Sequence, residues 1–158
     1  MKKTLFIAFG ILFFTSFCFA QDYYATVSHQ IKDNTGTTFV TYAITRTPNE
    51  EECKKVLIQK GQLQDKALIN IDCFTGQTAD DLFKDIFSNK PRSMLYISFA
   101  DLNGYQTRTY IKMLTSSEGS APAPTDIPVE SATLWANTTI KSLEGIGIKD
   151  AKIIYPSK

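Results

Sequence analysis

This chain has little of what metal and redox chemistry needs: one histidine and three cysteines in 158 residues, with no Cys-x-x-Cys spacing. That leaves too few ligands for a zinc site, and widely spaced thiols lack the geometry that tunes thiol acidity. A cofactor is therefore not expected. Charge of one sign is also missing, since 17 Lys and Arg stand against 16 Asp and Glu. A general nucleic-acid or acidic-membrane binder would carry a basic excess or a clustered basic face. No apolar run approaches the about 20 residues that a permanent membrane span requires.

What is present begins at Lys2-Lys3. An apolar stretch opens at Leu5, and a small-residue end at Ala20 precedes the polar pair Gln21-Asp22. Two lysines, a Phe-rich core of roughly 13 residues and a small-residue end are the three parts of a secretory signal peptide. The Met-Lys-Lys-Thr opening is similar to bacterial Sec signals. Cleavage is expected between Ala20 and Gln21, with Cys18 and Ala20 as the small residues that the peptidase reads. Cys18 also raises lipidation, but the bulky Phe17 stands where lipoprotein signals carry a small residue. The expected address is the periplasm or the cell exterior, with no membrane anchor after cleavage. Removing 20 of the 158 residues leaves 138, enough for one domain. It also removes two of the 17 basic side chains, leaving 15 against 16 acidic ones.

Cleavage would leave Cys53 and Cys73, an even count in an oxidising compartment, and so a disulfide is expected. Cys53, Val56, Leu57 and Lys60 share the inward face of a helix over residues 49–60. Ile69, Ile71 and Cys73 alternate onto one face of a strand, so both sulfurs point into one helix-on-sheet interface.

Alternation predicts strands over residues 23–32 and 37–45, joined by the turn Asp33-Asn34-Thr35-Gly36. Thr47 is expected to cap the helix, with Pro48 at its first position and Glu50, Glu51 and Glu52 against the positive end of its dipole. A second helix is predicted from Thr78 to Asn89, with Leu82, Phe83, Ile86 and Phe87 as its stripe. Residues 93–100 and 105–114 flank Asp101-Leu102-Asn103-Gly104 as the clearest hairpin. Residues 115–130 offer no apolar period and read as a flexible linker. A helix over 131–143 and a strand over 151–155 then complete the order β-β-α-β-α-β-β-α-β. That is an α+β fold in two layers, with a mainly antiparallel sheet and helices on one face.

Near the end, Leu143-Glu144-Gly145-Ile146-Gly147-Ile148-Lys149-Asp150-Ala151-Lys152-Ile153-Ile154 resembles the helix-hairpin-helix motif of DNA-binding proteins over about 12 of 158 residues. The resemblance implies phosphate contacts from the amides around Gly145 and Gly147 and from Lys149 and Lys152. Pro156 and the β-branched Ile153-Ile154 suit instead a helix stop followed by a closing strand.

His29 could serve a hydrolase beside Ser28 or Ser98, or be a satisfied histidine on a strand face. Asp80-Asp81-Asp85 and Glu50-Glu51-Glu52 fit first helical turns better than acid pairs. Asn137-Thr138-Thr139 has the form of a glycosylation acceptor inside a predicted helix. Tyr23, Tyr24, Tyr105 and Tyr110 with Arg108 suit contacts on an exposed sheet face. No activity motif stands out, and the expectation is an exported interaction or binding module. Its partner would be another protein or an envelope component, not nucleic acid, with a His29 hydrolase and a DNA-binding accessory protein as alternatives.

Intact-mass measurement on exported material should give a chain that begins at Gln21, free or cyclised. A retained segment 1–20, or an acylated Cys18, would overturn this processing.

Overall fold

The computed structural model describes residues 21–62, 68–76, 86–87, 94–115, 121 and 123–156. Its elements are β1 (Tyr23–Lys32), β2 (Thr38–Thr47), α1 (Glu50–Gln62), β3 (Leu68–Phe74), β4 (Tyr96–Ala100), β5 (Gln106–Thr115), β6 (Ala123–Thr125), α2 (Val129–Gly145) and β7 (Lys152–Ile154). The fold is α+β, as its alternating and helical patterns predict. The signal segment with Ala20, most of the helix expected over 78–89 with its three aspartates, and residues 116–120 of the expected linker lie outside the described residues.

Seven strands form one sheet in the order β3-β1-β2-β5-β4-β7, with β6 paired to β5, and every pairing is antiparallel. The two long hairpins close on the same turn chemistry. In each, an aspartate (Asp33, Asp101) accepts the amides two and four residues on, and the glycine three residues on (Gly36, Gly104) has positive φ. Such a turn followed by a left-handed glycine matches the right-handed twist of the strands it joins.

Register assigns the two faces of the sheet. Ala25, Thr45 and Thr107 share one face with Val27, Ala43, Thr109 and Ile97; Thr26, Ile44 and Arg108 share the other with Ser28, Tyr42 and Tyr110. Both helices cover the first face. Against α1 lie Ala25, Cys53 and Val56, and against α2 lie Leu95, Ile97, Phe99, Ala132, Ala136 and Ile148. On the other face Tyr24, Ile44 and Ile86 form a smaller cluster.

Two expectations change. The helix is capped by Asn49 and not by Thr47: the Glu52 amide donates to Asn49 Oδ1 at 2.9 Å. Asn49 with Glu52 three residues on is a capping-box spacing, whereas Thr47 is still in β2 and donates to the Tyr23 carbonyl at 3.1 Å. Within the stretch expected as linker, Ala123–Thr125 pairs with β5 as a short edge strand. An edge tolerates Pro124 because one side of the strand needs no ladder donors.

At the end of α2 the Gly147 and Ile148 amides donate to the carbonyls of Glu144 and Leu143, and Gly147 has φ +96°. Those two bonds, with Leu143 packing near the buried Ile148, make a Schellman cap. The chain then pairs Lys152–Ile154 with β4. The residues that resemble a helix-hairpin-helix therefore form a helix stop and a strand, so the second helix of that motif is not built.

Ile148→Asp should destabilise the fold by about 3 kcal/mol in urea titration, because it buries an unpaired charge. Lys149 and Lys152 are exposed. Alanine at either should change stability by less than about 0.5 kcal/mol.

Candidate groove between the two helices

Both helices line one space over the sheet. Between them lies an open groove of about 280 Å³ with Val27, Ala43 and Thr109 on its floor. Gln59 and Lys60 line it from α1, Thr139 and Leu143 from α2, and Phe99 and Ile148 close it further. Leu102, at the tip of the β4–β5 turn, and Ile146, at the end of α2, stand at its edge with 71% and 59% of their surface in water.

Cys53 and Cys73 are joined across 6.2 Å between Cα atoms, within the usual span of a disulfide. The bond ties α1 to the edge strand β3. Seven residues after Cys53, two helical turns on, Lys60 falls on the same inward face. Its stem is partly covered and its ammonium lies deep over the sheet, donating to Thr45 Oγ1 at 2.8 Å. Thr45 and Thr107, both fully buried, share a hydrogen bond of 2.9 Å between their hydroxyls. Desolvation pulls the Lys60 ammonium down to about 8, partly opposed by the charge of Asp101.

His29 lines the groove as well. Burial, and then the positive charge of Lys60, hold its imidazole below the usual histidine range, so it is neutral at pH 7. Ser28 and Ser98 lie on the opposite sheet face from His29 by register, so the hydrolase pairing with either serine is not formed. Among the described residues no three His, Cys, Asp or Glu side chains stand together as a metal site.

The other expected residues are dispersed. Glu50, Glu51 and Glu52 pair with Lys54 and Lys55 along the outer face of α1, and Glu52 accepts the Tyr105 hydroxyl at 2.9 Å. Asn137 is exposed on α2. The four tyrosines do not share an exposed platform: Tyr23 and Tyr105 pack beside α1, Tyr24 is buried on the far face against Phe87, and Tyr110 is half-buried on that face against the same cluster. There it stacks on Tyr42 with ring centroids 5.0 Å apart, beside a smaller hollow of about 200 Å³ that includes Thr26, Ser28 and Phe74. Arg108 is held between the Phe87 and Tyr96 rings, 5.5 Å from each centroid, with its Nε buried and without a hydrogen bond.

No protein-family model, no curated protein and no solved structure matches this chain. The groove and its chemistry therefore carry the functional argument.

A buried ammonium lowers the stability of a fold at neutral pH, and groups that do so concentrate at functional sites. Folded Lys60 gives up its proton near 8 and an unfolded lysine near 10.5, so the unfolded chain binds more protons between those values. Stability should therefore rise with pH through that window, by about 3 kcal/mol at most. Denaturant titrations at pH 7 and pH 10 should show this rise in the unaltered chain. They should show it absent in Lys60→Met, which should be the more stable at pH 7.

Proposed function

We propose that this chain is an exported binding module, working in the periplasm or outside the cell, that takes an apolar envelope component into the groove between α1 and α2. The observation that carries the reading is the pair Leu102 and Ile146. Two large aliphatic side chains held in water at the edge of a concavity with an apolar floor are a docking rim. Elsewhere Leu102 would be costly at a turn tip, where polar residues serve the backbone better.

The address rests on the leader-like segment through Ala20, and the Cys53–Cys73 bond supports an oxidising compartment. Among the described residues no helix is long and apolar enough to cross a membrane. Binding is favoured over hydrolysis because, among the described residues, the groove brings no nucleophilic serine to His29. It is favoured over duplex binding because Lys149 precedes strand β7 and Lys152 begins it, where the motif would need a second helix.

Prodan, a small neutral dye whose emission reports apolar surroundings, should bind the exported chain. Leu102→Asp should weaken that binding at least about fivefold. Leu134 is 72% exposed on α2 and outside the groove, so Leu134→Asp should leave binding unchanged. Equal losses in the two variants, or none in either, would remove the groove as the site.

A further inference from the structure

The cation inside the groove has no direct ion pair among the described residues. Lys60 has three N–H donors and Thr45 accepts one. The carboxylate whose field reaches it, Asp101, is turned into its own turn, where its Oδ1 accepts the amides of Asn103 and Tyr105 at 2.9 Å each. Among the described residues Lys60 forms no ion pair. The charged and titratable groups lining the groove are Lys60, His29 of β1 and Asp101; β2, β5 and α2 present Ala43, Thr109, Thr139 and Leu143 there. A desolvated cation that no carboxylate contacts directly is unfavourable, and an anion arriving on an apolar body relieves it while covering the floor.

We propose that the ligand of this groove is a small amphiphilic carboxylate, its head on the Lys60 ammonium and its hydrocarbon body along Val27, Ala43 and Phe99 towards Leu102 and Ile146. This rests on the groove being the binding site and adds the class of ligand. The carboxylate accepts from the ammonium hydrogens that Thr45 does not use, a charge-assisted contact about twice as strong as a neutral one. A volume of about 280 Å³ is at the lower end for small-molecule pockets, which selects a single short or medium chain over a two-chain lipid.

Calorimetric titration of the exported chain at pH 7 with hexanoate, octanoate, octanol and octylamine tests this. Octanoate should bind at least about tenfold tighter than octanol, as one hydrogen bond to a charged group provides. Each methylene between hexanoate and octanoate should tighten binding about fourfold, and octylamine should not bind. Lys60→Met should bring octanoate down to the affinity of octanol and leave octanol unchanged. If that variant does not melt cooperatively, the unaltered chain decides: raising the pH from 7 to 10 should abolish the preference for octanoate, since the Lys60 ammonium gives up its proton within that range. Octanol binding as tightly as octanoate, with Lys60→Met or the higher pH without effect, would overturn the carboxylate and leave the groove standing. Failure of both octanoate and octanol to bind would overturn the groove as well.

Discussion

The bond between Cys53 and Cys73 holds in place an element that its own sequence holds weakly. Helix α1 buries Cys53 and Val56 fully and Leu57 in part, while Glu50, Glu51, Lys54 and Lys55 keep its outer face in water. So narrow a stripe gives a helix of 13 residues little to dock with. A covalent tie that closes a loop of about 20 residues contributes roughly 3 kcal/mol on the chain-entropy view. The position of Lys60 depends on that tie. Freed to rotate, α1 would carry the ammonium to solvent, and the groove would lose both its wall and its charge.

A cation lies against each face of the sheet, Arg108 from β5 and Lys60 from α1, and the two are accommodated differently. Arg108 lies between two aromatic rings, where a weakly hydrated, delocalised guanidinium loses little on leaving water. Lys60 has a compact, strongly hydrated ammonium, and one threonine hydroxyl replaces its water shell. The difference in chemistry between two basic residues separates a packed cation from one that faces an open space.

Much of this was legible in the chain. The hairpins could be placed because an aspartate and a glycine three residues later mark each turn, and the cysteines because helical and strand periods aim both at one interface. Lys60 could also be placed on the inward stripe of α1, where a lysine interrupting apolar spacing is the one local sign of the groove. Its desolvation was not legible, because that depends on how far α2 stands from α1. The faces of the tyrosines were lost for a related reason: alternation separates Tyr23 from Tyr24, but both faces of the sheet are covered at that end, so neither residue is free. Strand β6 carries no alternation and exists through its pairing with β5.

The order of strands also bears on how the chain assembles. Strands β1, β2 and β3 with α1 come from one continuous stretch of sequence, and β4 to β7 with α2 from another. Their sheets join along β2 and β5, where Thr45 meets Thr107 from 62 positions away, and α1 adds contacts from Glu52 to Tyr105 and from Gln59 to Asn103. Contacts between positions so far apart form late, because closing a long loop costs entropy before any contact repays it. The groove lies across this seam, with one wall from each stretch. Its two walls therefore come from distant parts of the chain, and any occupant would act as a clasp between them.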